Sequence, residues 1–207
     1  SVVYTDNGVF ERYLVLPKNP DCVLVDTAIV AKAPVDLLVS GMGDALATFW
    51  EADTCNKSCK PNVLTGATPP TRSAMALARL CYDTLLEYGL QAKLAVEQGA
   101  CPAAVEAIVE ANTLLSGLGF ESGGLAGAHS VHNGLTVLES THTKYHGQKV
   151  SFGVITQLVM EGRSSCEIDE VLDFCLTVDL PITLADIGIV NPSREDVRNL
   201  AEATEAP

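Results

Sequence analysis

Apolar residues change their spacing once along this chain, near residue 26. Ahead of that point they come in short runs: Ser1-Val2-Val3-Tyr4, then Tyr13-Leu14-Val15-Leu16 stopped by Pro17, then Cys22-Val23-Leu24-Val25-Asp26. Such runs, rich in β-branched residues and split by the Asp6-Asn7-Gly8 turn signal, predict strands. The third is almost wholly apolar, as in a strand buried in a sheet with its carboxyl end presented to a site. Beyond Asp26 the three-and-four spacing of helices takes over. Pro34 is placed to open a helix through Leu38, Leu46 and Trp50. After Pro69-Pro70, the positions of Ala74, Leu77, Ala78, Cys81 and Leu85 predict a helix over 71–87. Val105, Ile108, Val109 and Asn112 predict another over 102–115, and further helices are expected at 122–136, 146–161, 167–178 and 194–203. The segment 57–70 reads as the one obvious loop.

The fold class expected is therefore mainly α: a short β segment over 1–30, then a helical body over 31–207. The opening strands have too few partners for an independently stable sheet. The chain also begins in mid-strand without a Met, and the two features together point to a preceding portion.

Composition narrows the function. The 207 residues are 47% apolar and 19% charged, enough for a packed core. Thirteen basic against 26 acidic residues give a net charge of −13, which argues against nucleic acid and against an anionic membrane surface. No apolar run approaches the length of a membrane span, and no signal peptide opens the chain. The seven cysteines are odd in number and scattered, unlike a disulfide framework. Cys55 and Cys59 have neither a second pair nor a neighbouring His to complete a zinc site. Free thiols in a reducing compartment, the cytoplasm, are expected.

The candidate chemistry is concentrated. All four histidines, His129, His132, His142 and His146, fall within 18 residues, and His is both the commonest metal ligand and a general acid or base near neutral pH. A glycine-rich stretch, 117–124, precedes them, but its spacing fits neither dinucleotide nor P-loop phosphate cradles. On a helix starting near Ser122, His129 and His132 share a face, with a bend or end near Asn133-Gly134. Asp44 sits among Gly41, Gly43, Ala45 and Ala47, as either a helix cap or a buried functional carboxylate. Two imidazoles and a carboxylate suit catalytic Zn²⁺ or non-haem Fe²⁺. Other residues read more plainly. Phe49 and Trp50 belong to the core, and the acidic stretch 195–205 is a solvated helix face. Asp26 is a cap or a site residue, and Glu51 an acid behind the site or a surface charge.

Three motifs carry a family resemblance. Gly41-Met42-Gly43-Asp44-Ala45-Leu46-Ala47-Thr48 resembles the first metal-ligand motif of glycerol dehydrogenases, within the metal-dependent (iron-containing type) alcohol dehydrogenase superfamily. The stretch from Ser116 through His129 to Thr136 resembles the second, and Tyr145-His146-Gly147-Gln148-Lys149-Val150-Ser151-Phe152-Gly153 the third. Their order matches the family, and the likeness extends over nearly the whole chain, including Leu180-Pro181-Ile182-Thr183-Leu184-Ala185.

The resemblance implies a dehydroquinate synthase-like architecture, with the 1–30 segment left over from an N-terminal α/β nucleotide-binding domain. It implies Asp44, His129 and His146 as metal ligands, Zn²⁺ in this branch with Fe²⁺ in cousins, and NAD as hydride acceptor. The reaction implied is oxidation of a small polyol, glycerol to dihydroxyacetone, by Lewis-acid activation of the alcohol. Tyr4 matches a position lining the nicotinamide pocket. Phe120 and Glu121 would shape the pocket wall, and His132 and His142 would back the ligands or relay protons. A homo-oligomer is implied too. The family's Gly-rich dinucleotide turn and substrate aspartate lie upstream of what this chain contains, and relatives continue past Ala201-Glu202-Ala203, so turnover by this chain alone is not expected. Two alternatives stand beside this. One is a non-catalytic metal-binding or oligomerisation remnant. The other is a lyase of the dehydroquinate synthase type, which would want a basic cluster where only Lys144, Lys149 and the more distant Arg163 stand.

Overall fold

A computed structural model describes residues 2–66 and 69–205; Ser1 of the first expected strand and part of the expected 57–70 loop lie outside the described residues. Strands β1 (Val2–Tyr4) and β2 (Phe10–Tyr13) pair antiparallel, Val2 opposite Tyr13, as the only sheet among the described residues. The Asp6-Asn7-Gly8 signal is realised in the turn between them, where Gly8 takes φ +78°.

Helices follow: α1 (Thr27–Val30), α2 (Val35–Ser58), α3 (Arg72–Glu97), α4 (Ala103–Glu110), α5 (Ser116–Gly123), α6 (Gly127–Leu135), α7 (His146–Met160), α8 (Ser165–Val178) and α9 (Arg194–Glu205). A π-helical turn, Ala111–Leu115, joins α4 to α5 without a break. The mainly α class, with its short β front, is thus present.

α2 is the axis of the body. It packs against α3, α5 and α7 and touches α6, and Met42, Ala45, Leu46 and Ala47 on it are fully buried. Its small residues are what let neighbours approach so closely. A Cβ on Gly43 would overlap the Gly147 carbonyl, and one on Gly147 would overlap the Ser40 carbonyl. The α2 and α7 backbones therefore touch at this crossing, which sets Asp44 beside His146. A smaller apolar cluster, Val131, Leu135, Ile187 and Ile189, packs under α6 with Leu200 of α9.

Four expectations are corrected, and the alternative left open for Asp26 is settled. The second strand is 10–13 rather than 13–16. The 22–26 run forms no strand: Val23 is 69% and Leu24 94% exposed, because no further strand among the described residues offers hydrogen bonds. Asp26 is a cap, accepting from the backbone N–H groups of Ala28 and Ile29. α3 continues ten residues past Glu87, since Gly89 is not a stop but the seat of Phe174. The helix expected at 122–136 begins at Gly127, and the glycine-rich stretch before it is helical, as α5, until Gly124 at φ +94°. Packing overrides glycine's low helix propensity there.

The hairpin rests on α6. The Phe10 N–H donates to Thr136 Oγ1 at 2.9 Å, and Asn133 Nδ2 donates to the Tyr13 hydroxyl at 3.0 Å. No helix among the described residues is long and apolar enough to cross a membrane.

Candidate metal centre

α2 brings Asp44, Thr48 and Glu51 to one face, at spacings of four and three residues. α6 brings His129 and His132, and His146 is the first residue of α7, placed over Asp44 by the Gly43–Gly147 crossing. Asp44 lies in mid-helix, so capping is excluded.

One ligand atom from each of Asp44, His129 and His146 lies within 4.8 Å of the others, the one such cluster among the described residues. Asp44 Oδ1 is 3.5 Å from His129 Nε2 and 3.3 Å from His146 Nε2.

The imidazoles are aimed from behind. Glu51, 1% exposed, accepts His129 Nδ1–H at 2.6 Å through Oε2, and its Oε1 accepts the backbone N–H groups of Ala126 and His129 at 2.8 and 2.9 Å. With Nδ1–H so engaged, Nε2 is the nitrogen that His129 turns to Asp44's side. His146 is held by a longer chain. His132 Nδ1–H donates to Asn133 Oδ1 at 3.0 Å, so His132 Nε2 accepts from His146 Nδ1–H, also at 3.0 Å. His146 Nε2 is thereby left free for the cleft. The Tyr4 hydroxyl sits 3.3 Å from His132 Nε2 and 3.2 Å from His146 Nδ1, tying β1 to the centre.

The charges make a place that seeks a cation. Burial alone would lower His129, but the carboxylates of Glu51 and Asp44 raise it to about 10. Burial would raise the Asp44 carboxyl, yet hydrogen bonding and charge from the two histidines hold it well below the carboxylate range. Asp44 is surrounded deeply by protein while its side chain stays 43% accessible through the open cleft, and the direct histidine contacts decide the direction. His132 is driven down to about 2 by burial and by His146, so it stays neutral and can accept. Between Asp44, His129 and His146 a proton is the only cation that these side chains themselves supply. A divalent ion with N/O preference fits the donor set and the aimed lone pairs.

The cluster opens into a cleft of about 490 Å³ whose walls include Tyr4, Leu16, Thr48, Ser116, Phe120 and Leu125. Asn19 Nδ2 donates to both Glu121 carboxylate oxygens at 3.3 and 3.2 Å, tying the 14–19 segment to α5 along one wall. A separate hollow of about 590 Å³ between α3 and α8, lined by Asp169, Glu170 and Asp173, contains none of these groups.

Of the residues singled out from sequence, Asp44, His129, His146, His132 and Tyr4 come together, and Phe120 and Glu121 line the cleft. His142 does not join them. Its Nε2–H donates to the Thr136 carbonyl at 2.8 Å and its ring lies under the Gly8 turn, so it supports the hairpin rather than the ligands. The Cys55–Cys59 pair is split between a buried and an exposed thiol. Glu51 was legible only as an ambiguous acid. Its seven-residue offset from Asp44, two helical turns along one face, is the signal that singles it out.

No family model matches the chain. Glycerol dehydrogenase of Thermotoga maritima is 59% identical over 202 residues, covering 98% of this chain and 55% of its own length. Among solved structures, a probable glycerol dehydrogenase from Sinorhizobium meliloti superposes with TM-score 0.96 at 49% identity, over all of this chain and 58% of that one. Glycerol dehydrogenase from Schizosaccharomyces pombe superposes with TM-score 0.95 at 40% identity, over all of this chain and 52% of that one. The chain thus spans a little over half the length of these relatives, matching their C-terminal part. At such identity, fold likeness and coverage of this chain, it is a homologue of the C-terminal part of proteins named glycerol dehydrogenase.

Proposed function

We propose that the chain is the metal-binding part of an NAD-dependent glycerol dehydrogenase, oxidising glycerol to dihydroxyacetone. The observation that carries this is the convergence of Asp44, His129 and His146, with both imidazoles aimed by Glu51 and by the His132–Asn133 pair. Names and identities of the relatives support it.

Asp44 Oδ1, His129 Nε2 and His146 Nε2 would hold the ion, Zn²⁺ in the first instance and Fe²⁺ as the other fit to the same donors. When bound, such an ion supplies Lewis-acid activation of an alcohol, and NAD supplies the hydride acceptor. The protein's own work is placement. Glu51 fixes the tautomer of His129, and neutral His132 fixes that of His146. Tyr4, on the hairpin, closes the centre from the β side and would help to hold the nicotinamide of NAD. Phe120, Leu16 and Leu125 keep the cleft wall apolar, with Glu121 held in place by Asn19. His129, raised to about 10 by the Glu51 and Asp44 carboxylates, would have to release a proton for an ion to be held at its Nε2.

Seven free thiols fit a cytoplasmic setting. Exposed Leu80, Leu90 and Leu94 on α3 fit self-association. The test is complementation: this chain, with Zn²⁺ and the remaining N-terminal part of the T. maritima relative, should form NADH from glycerol and NAD⁺, and His129→Ala should abolish it. Absence of NADH, where the relative's own C-terminal part restores activity, would refute the assignment.

A further inference from the structure

Thr48 and Ser116 make an unusual pair. Both are buried, at 2% and 6% exposure, and their hydroxyls meet at 3.0 Å across the α2–α5 contact. Five other threonines in helical turns, Thr54, Thr84, Thr113, Thr156 and Thr204, donate to the carbonyl four residues back. Thr48 and Ser116 make no such bond among the described residues. They bond only to each other.

Two hydroxyls carry two hydrogens, and the bond between them uses one. The other hydrogen, and most of the oxygen lone pairs, are left for whatever enters the cleft that both residues line. Valine and alanine would fill the same volume without a buried polar group, and buried hydroxyls with spare bonding capacity cost stability. The packing also holds the pair in place. A Cβ on Gly119 would come within 2.5 Å of Thr48 Cγ2, so the threonine methyl is seated against α5 and its hydroxyl is turned to Ser116. Leu16, Phe120 and Leu125 make the apolar part of the same cleft.

Position gives the pair its ligand. Thr48 stands one turn from Asp44 on the same face of α2, about 6 Å along the axis. A three-carbon polyol is roughly 5 Å between its terminal oxygens at ordinary bond lengths. We infer that the Thr48–Ser116 hydroxyl pair is a specificity-determining subsite, taking the hydroxyl of a bound triol that lies farthest from the Asp44–His129–His146 cluster. This rests on the polyol reading above and adds to it a preference for three hydroxyls over two.

The test uses the whole chain loaded with Co²⁺, whose visible d–d absorption reports ligands at the cluster without any turnover. Titration with glycerol and with 1,2-propanediol, which lacks one terminal hydroxyl, gives two dissociation constants. Wild type should bind glycerol about fivefold more tightly, the scale of one neutral hydrogen bond. Thr48→Val, which keeps the volume, and Ser116→Ala should each weaken glycerol by about that factor and leave 1,2-propanediol and cobalt content unchanged. If one variant fails to fold, the other decides. A glycerol preference that survives the substitution, or equal weakening of both ligands, overturns the subsite while leaving the polyol reading intact. A wild-type protein that holds cobalt but responds to neither ligand overturns that reading and the subsite with it.

Discussion

Glu51 decides which nitrogen of His129 faces the cleft. Its carboxylate is saturated by the imidazole and two backbone N–H groups, so its charge is spent on orientation. Glu51→Gln should keep the fold and lower Zn²⁺ affinity by about 10- to 100-fold, the usual cost of losing a carboxylate behind a metal-bound histidine. Chelator competition measures it, and unchanged affinity would mean the contact is structural only. The same titration carries a pH dependence. In the metal-free protein His129 is raised from 6.5 to about 10, so it contributes stability that is complete below about pH 6.5 and lost as pH climbs toward 10. Zn²⁺ must displace that proton, so apparent affinity should run the other way, rising about tenfold per pH unit between 6 and 8.

Legibility at this scale followed chemistry more than position. The four histidines in one window, and a carboxylate stranded among small residues, pointed to the centre because such groups are costly to bury without a use. His132 and His142 looked alike in sequence and parted in the fold, since one turns into the cluster and the other caps a carbonyl under the hairpin. Thr48 and Ser116 gave no sequence signal, because their meaning lies in a contact between residues 68 positions apart.

Among the elements, the α2–α7 crossing does most to assemble the centre. Gly43→Ala would drive a methyl into the Gly147 carbonyl, a backbone atom that cannot step aside. The expected cost is about 1–3 kcal/mol or more in urea denaturation, with Zn²⁺ affinity falling alongside it as Asp44 and His146 separate. A full loss of stability with intact metal affinity would detach the crossing from the site. The long helices were readable from their apolar spacing, which a packed helical body enforces. The exposed 22–26 segment was not, because a strand needs partners as well as an apolar composition, and the described residues offer it none. The helical glycines of α5 misled for a related reason: tertiary packing against α2 outweighs local propensity.

For the whole molecule, a helical body with a net charge of −13 surrounds a cation-seeking cleft, and the hairpin seals one side through Tyr4 and Tyr13. Its mainly helical architecture agrees with what the motifs implied. The proposed function depends on Asp44, His129 and His146 holding one divalent ion. The most direct measurement is metal content by mass spectrometry of the purified chain, beside an Asp44→Ala, His129→Ala double variant, both after incubation with Zn²⁺ and desalting. About one ion per wild-type chain and essentially none in the folded variant are expected. A wild-type chain that retains no metal, or a variant that retains as much, would contradict the proposed function.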